Sequence, residues 1–217
     1  MGFDACYDKS LYDALRDRKP TILTKMMPVQ AQIHQSRVRF IENHDEKRAI
    51  SAFAKGYWRA AAIFTATLPG ITMFHEGQFE GRKKRISVLL GRRPVEHADP
   101  SVEQFYAMLL EVIRHPTIRK GVWKSLPVYT PRGRRQTRCQ AWMWTRPGEV
   151  FLIVANASRH PATGHIKTEF SQFTRLSCVL DSLKDNPSSF GEIRATDQKG
   201  QIEVFLKAGQ AIIYKST

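Results

Sequence analysis

The 217 residues include 34 Lys and Arg against 20 Asp and Glu, a net charge of +14, with 42% apolar and 25% charged residues. That length and balance suit a globular chain with a sizeable core and exclude disordered and fibrous classes. Cys6, Cys139 and Cys178 are too few and scattered for a disulfide framework or a thiolate metal site, no apolar run approaches the roughly 18 residues that span a bilayer, and no basic-then-apolar leader opens the sequence, so a reducing, cytoplasmic setting is expected.

Residues 1–120 alternate helical and short extended patterns. Lys9–Arg18 sets Leu11, Tyr12 and Leu15 on one helical face, and Pro20 is expected to limit that helix. Arg37–Ile41 alternates charged and apolar residues as a short strand does. Arg48–Leu68, rich in Ala, carries Phe53, Tyr57, Ala60, Ala61 and Phe64 at helical spacing and closes at Pro69-Gly70. Ile71–His75 is an apolar strand followed by a Gly-containing loop. Asp99-Pro100 then opens a helix, as N-cap and first helical residue, whose apolar face holds Val102, Phe105, Tyr106, Leu109, Leu110 and Ile113. This alternation predicts parallel βα units.

From about Gly121 the period changes. Short apolar runs at Gln140–Thr145, Val150–Asn156, His165–Glu169, Ser177–Leu180, Ile202–Leu206 and Ala211–Tyr214 are separated by Gly, Pro and Asn turns. Strands at this spacing without helices predict a small antiparallel sandwich over residues 121–217.

The basic excess raises a nucleic-acid partner, and two dense spots carry much of it: Arg82, Lys83, Lys84, Arg85, and Arg132, Arg134, Arg135, Arg138. Both lie among Gly and Pro and read as loops. Neither has the interleaved aromatics of a single-strand binder, and no zinc-finger, homeodomain or RNA-recognition signature is present, so solvated loop charge is the favoured reading and no specific nucleic-acid partner is expected.

The stretch Phe40-Ile41-Glu42-Asn43-His44-Asp45-Glu46 follows a predicted strand and precedes a helix, the place where βα loops build active sites. Taken alone, Asn43-His44-Asp45 is explained by turn and cap chemistry. Neighbouring segments change the balance. Phe40–Asp45 resembles the end of the seventh barrel strand in the alpha-amylase superfamily of glycoside hydrolases. Thr67–Gln78 resembles its eighth strand, Gly2–Lys9 the segment at its sixth, Phe105–Arg114 its last barrel helix, and the final strand Lys207–Tyr214 closes a region similar to its C-terminal sandwich.

The resemblance implies the last three βα units of a (β/α)8 barrel over residues 1–120 and a β-sandwich over 121–217. It implies Asp45 as the carboxylate that stabilises an oxocarbenium-like transition state and His44 as a donor to the same sugar ring, with His75 and Gln78 at the rim, although the family's usual pattern there, Tyr-Gly-x-Glu, is not matched. The implied partner is an alpha-glucan or maltooligosaccharide. Glu42 and Glu46 are expected in exposed ion pairs with Arg39 or Lys47. No cofactor is implied, and His75-Glu76 lacks a second ligand for a metal.

A retaining glycosidase also needs two carboxylates about 5 Å apart, which the family places after its fourth and fifth strands, whereas this sequence starts near the sixth. The chain is therefore expected to be inactive alone and to be the C-terminal portion of a larger enzyme, from a split gene, a truncated gene model or an interrupted coding sequence, with the N-terminal barrel portion as a separate chain in the first case. An alternative from another class is a non-catalytic carbohydrate-binding fragment with Trp123, Trp142 and Trp144 as stacking surfaces, though strand alternation favours Trp142 and Trp144 in the core of the sandwich.

Overall fold

The computed structural model describes residues 2–28, 31–53, 56–87, 89, 92, 94–167, 175–185, 192–194 and 201–216. Its first helix starts where a carboxylate can hold it: Asp8 accepts from the Leu11 backbone N–H at 3.2 Å, opening α1 (Lys9–Arg16) with Leu11, Tyr12, Ala14 and Leu15 buried. The helix ends two residues earlier than the periodicity predicts, because Arg18 takes a left-handed φ of 56°. Pro20 then begins a second helix, α2 (Pro20–Met26), where its missing N–H costs nothing. A short α3 (Ala31–Gln35) follows.

β1 (Cys6–Tyr7), β2 (Arg37–Arg39) and β3 (Ile71–Thr72) form a parallel sheet with β2 in the middle. The two longer expected strands are thus trimmed at their C-terminal ends, where the chain turns into loops. Between β2 and β3 the Ala-rich run is two helices, not one. α4 (Ala49–Ala52) ends at Phe53, whose backbone is extended, and Gly56 at φ 78° starts α5 (Tyr57–Ala66). A left-handed residue cannot sit inside a helix, and glycine adopts that conformation without strain. At Pro69-Gly70 the glycine is also steric: with φ 115°, a Cβ there would stand 2.5 Å from the His34 carbonyl oxygen and 2.7 Å from that of Arg37.

α6 (Pro100–Arg114) begins as expected, with Asp99 accepting from Ser101 N–H at 3.0 Å and Val102, Phe105, Tyr106 and Leu109 buried. It leads through His115 into α7 (Pro116–Lys120).

The rest of the described chain is antiparallel. β4 (Val122–Leu126), β5 (Val128–Tyr129), β6 (Cys139–Arg146), β7 (Glu149–Asn156), β8 (Ala162–Lys167), β9 (Arg175–Asp181), β10 (Glu192–Arg194), β11 (Gln201–Leu206) and β12 (Ala211–Ser216) divide into two sheets. One is six-stranded, in the order β10-β9-β12-β7-β6-β4, and the other three-stranded, β11-β8-β5. The six strands expected in this region are all found with extended bounds; residues 168 and 169 of the expected His165–Glu169 strand lie outside the described residues.

The central strands of the larger sheet, β12, β7 and β6, are buried on both faces. Leu152, Val154, Ile212 and Tyr214 join Ile166, Ile202, Val204 and Leu206 of the smaller sheet in one apolar cluster. Trp142, Trp144, Ile153 and Ile213 face the other way, into a cluster with Phe64, Leu68, Phe105 and Leu109 of the helices. Trp142 and Trp144 therefore pack between sheet and helices rather than between sheets. Two-sided burial accounts for the near-continuous apolar runs of β6 and β7.

Candidate functional site

The candidate loop leaves the C-terminal end of β2. Phe40 anchors it, edge-on to Tyr7 at 5.3 Å and stacked on Tyr12 at 5.4 Å. Glu42 follows and is 1% exposed, not the exposed loop carboxylate that the sequence suggests. Its Oε1 accepts from Arg48 Nη1 at 2.8 Å and its Oε2 from the Ala49 backbone N–H at 2.5 Å. One carboxylate thus spans the loop, tying its first residues to the start of α4. Asn43, 5% exposed, closes the turn inside that span, its Oδ1 accepting from the N–H groups of both Asp45 and Glu46 at 2.9 Å.

With its neighbours held, the loop presents two side chains outward. Asp45 is 71% exposed and His44 49%, and His44 Nε2 lies 3.3 Å from Asp45 Oδ2. Arg85 donates from Nε to the His44 carbonyl at 3.2 Å, so the basic loop after β3 borders the same spot.

Arg48, 2% exposed, carries the connection to the end of β3. Its Nη1 lies 2.9 Å from His75 Nδ1 and donates to the Glu76 carbonyl, its Nη2 is 3.3 Å from Glu76 Oε2, and its Nε donates to the Lys84 carbonyl at 3.1 Å. A guanidinium can only donate, so this contact makes His75 Nδ1 an acceptor and leaves the ring hydrogen on Nε2. The structure therefore ties His75 to Glu42, in the loop that carries His44 and Asp45, through a residue the sequence analysis did not single out. No local signal marks Arg48: six residues separate it from Glu42, and the pairing exists only once the loop folds back.

Gln78 is placed otherwise. It is 3% exposed, accepting from His75 N–H at 3.0 Å through Oε1 and donating to the Tyr106 hydroxyl at 2.8 Å through Nε2. Both ends of its amide serve the fold, and its place is beneath the rim. Burial raises the Tyr106 hydroxyl well above the usual tyrosine range, which keeps it a neutral partner for that amide.

The expected ion pairs are also reassigned. Arg39, 2% exposed, reaches Asp8 at 3.3 Å and His34 Nδ1 at 2.7 Å, and burial lowers it to about 10. Glu46 lies 3.0 Å from Lys9. A cavity of about 280 Å³ is lined by Asp8, Leu23, His34 and Arg39, and by none of the four predicted site residues. Among the described residues no group of three or more His, Cys, Asp or Glu side chains is placed to hold a metal ion, and no helix is long and apolar enough to cross a membrane.

The tryptophan surface expected for a carbohydrate-binding fragment is not offered. Trp142 and Trp144 are 0% and 8% exposed, and both indole N–H groups donate to the Thr67 carbonyl, at 3.2 and 2.7 Å. Trp123 is partly buried, edge-on to His34 at 4.9 Å.

No family model matches the sequence. The alpha-amylase MalA of Haloarcula japonica is 28% identical over 171 residues, 74% of this chain and 25% of that protein. Among solved structures, a maltogenic alpha-amylase AmyB from Thermotoga neapolitana superposes with a TM-score of 0.75 at 14% identity, over 99% of this chain and 51% of its own. An Anoxybacillus alpha-amylase gives 0.69 at 16% identity, over 100% and 48%, and a Nostoc punctiforme debranching enzyme 0.69 at 15%, over 99% and 46%. The chain thus spans a quarter of that relative and about half of these structures. It resembles the C-terminal part of the alpha-amylase superfamily in sequence and in fold.

Proposed function

We propose that this chain is the C-terminal portion of a retaining alpha-amylase-type glycosidase or transglycosylase acting on alpha-glucosidic linkages. Residues 1–120 supply the last βα units of a (β/α)8 barrel and residues 121–217 a C-terminal β-sandwich. What carries the reading is the position of Asn43-His44-Asp45, presented from the C-terminal end of the middle strand of a parallel sheet in which, among the described residues, β1 and β3 each pair with β2 alone. Barrel active sites are built at that end of the strands.

In this reading Asp45 is the fixed anion beside the sugar ring. As the glycosidic bond stretches, positive charge develops on the ring, and a carboxylate already in place stabilises it without reorganising. His44 donates to a ring hydroxyl, a bond that strengthens as the ring distorts. The Glu42–Arg48 pair holds the loop that presents both. The nucleophile and the general acid belong to the remainder of the barrel, so the chain alone binds no substrate productively and turns none over.

The test has two arms. The purified 217-residue chain is assayed on maltoheptaose, with no turnover expected; Asp45-dependent turnover by the chain alone overturns its inactivity. The coding sequence upstream is then expressed with it, and Asp45→Asn in that longer enzyme is expected to lower kcat by at least about 100-fold. An unchanged kcat removes Asp45 from the site.

A further inference from the structure

We propose that the outer face of the three-stranded sheet binds single-stranded polynucleotide without regard to sequence. In the sequence no aromatic residue is interleaved with the arginines at 132–138, which argues against such a role. The fold supplies them. Tyr129 on β5 is paired with His165 on β8, His165 with Glu203 on β11, and Tyr129 on its other side with Arg135. Residues directly paired across strands project to the same side of a sheet. Arg135, Tyr129, His165 and Glu203 therefore form one row about 14 Å long at the usual strand spacing.

The alternate residues confirm which side this is. Val128, Ile166, Ile202 and Val204 go into the apolar core, leaving the row facing outward. The Tyr129 and His165 rings are stacked, with centroids 5.8 Å apart and planes at 24°. Lys167 holds its ammonium 5.7 Å from the centre of the Tyr129 ring. Phe205, on the outward-facing side of β11, is 63% exposed.

The arginines stand on a fixed backbone. Thr130 N–H donates to the Arg134 carbonyl at 2.7 Å, Gly133 N–H to the Thr130 carbonyl at 2.8 Å and Gln136 N–H to the Val128 carbonyl at 2.8 Å, with Gly133 at φ 75°. Arg132, Arg134, Arg135 and Arg138 are all exposed, and none has an ion-pair partner among the described residues. The other basic cluster differs: the Glu96 carboxylate accepts from the backbone of Lys83 and Lys84, and Arg85 is engaged by His44.

A ledge of stacked rings bordered by unpaired guanidinium groups matches a chain of flat bases joined by phosphates. A glucan would use the rings and leave the arginines idle. A duplex would use the arginines and keep its bases from the rings.

The experiment is fluorescence anisotropy of the purified chain with a dye-labelled oligothymidylate of about 12 nucleotides and with a duplex of the same length, from about 50 to about 200 mM KCl. Single-strand binding is expected to be the tighter, with log K falling linearly against log salt at about −0.7 per phosphate contacted. Replacing Arg132, Arg134 and Arg135 by Gln should weaken binding at least about tenfold and flatten that slope. Tyr129→Ala with Phe205→Ala should weaken single-strand binding about tenfold at unchanged slope, while Tyr129→Phe retains it. Circular dichroism and Tm confirm folding, and if the Gln variant unfolds, Lys at the same three positions should keep the slope and lose affinity. Three results overturn the proposal: no single-strand binding at the low salt, equal binding after loss of both rings, or displacement of the oligonucleotide by maltoheptaose, which would make the face a glucan platform.

Discussion

Arg48 Nη1 lies 2.8 Å from Glu42 Oε1, and each side chain is 2% exposed. The two close a loop that starts at the end of β2, and the same guanidinium reaches His75, Glu76 and Lys84 beyond β3. Two buried charges so placed hold the outward-facing His44 and Asp45 in a fixed relation to the next strand's loop.

Removing one partner of such a pair strands the other without solvent. Arg48→Met is therefore expected to cost about 3–5 kcal/mol in urea unfolding, and Glu42→Met less, because Arg48 keeps the Glu76 carboxylate at 3.3 Å. The double variant should cost clearly less than the sum, because no charge is then left buried. Strict additivity would show that the two residues act separately.

Asn43 makes a second, finer prediction. Its Oδ1 is the acceptor for two backbone N–H groups, those of Asp45 and Glu46. Asn43→Ala orphans both, at about 1–2 kcal/mol, and amide exchange at Asp45 and Glu46 should accelerate while β6 and β7 stay protected. Uniform acceleration across all strands would mean that the turn is not a local unit.

How much of this was legible beforehand follows from which interactions are local. The Asp99-Pro100 cap and the turn at Pro69-Gly70 depend on neighbours in sequence, and both are where the sequence puts them. The Asn43-His44-Asp45 loop was found by its segment and not by its contacts. The Glu42–Arg48 span and the Arg39–Asp8 pair were missed, since the charges nearest in sequence are not those nearest in space. The division of the Ala-rich helix was hidden because the apolar period continues through Phe53 and Gly56 although the backbone does not. The tryptophans were rightly read as buried but given the wrong partners: alternation says which residues share a face and leaves open what covers it.

His34 gives a pH dependence. Burial, then the adjacent Arg39 charge, lowers it below its ordinary value of 6.5, with Asp8 opposing. Arg37 adds to the repulsion, and Trp123 covers the ring. A base whose folded value is depressed binds fewer protons folded than unfolded, so stability rises with pH through that window and declines as pH falls below 6.5. The Tm should drop on going from neutral to mildly acidic pH, and His34→Gln should flatten that segment of the curve. A wild-type Tm that is level there would contradict the buried neutral ring.

Glu149 governs a lower window. Burial raises its pKa, but the Thr117 hydroxyl, the Lys215 ammonium and the His115 ring outweigh this, and its net position is below the ordinary 4.5. A depressed carboxylate adds stability that is fully present above its unfolded value and lost as pH falls through its folded one. Glu149→Gln should thus lower Tm at neutral pH and narrow its gap to wild type below 4.5. A gap that stays constant down to about pH 3 would mean that the carboxylate's charge contributes nothing.

Asp45 separates presentation from folding. Its carboxylate is 71% exposed and its one ion-pair contact in the described structure is the His44 ring at 3.3 Å. Asp45 contributes to the loop's own structure through its backbone N–H on Asn43, which a change of side chain leaves in place. Asp45→Asn is therefore expected to alter unfolding free energy by no more than about 0.5 kcal/mol, in contrast to Arg48→Met, whose side chain is buried. If Asp45 has the role proposed above, the same substitution in the longer enzyme should abolish most of kcat with an unchanged Tm, because an anion of that kind matters only when charge develops on the substrate. A parallel loss of Tm and kcat would instead make Asp45 part of the scaffold, and the role of transition-state stabiliser would have to pass to another residue.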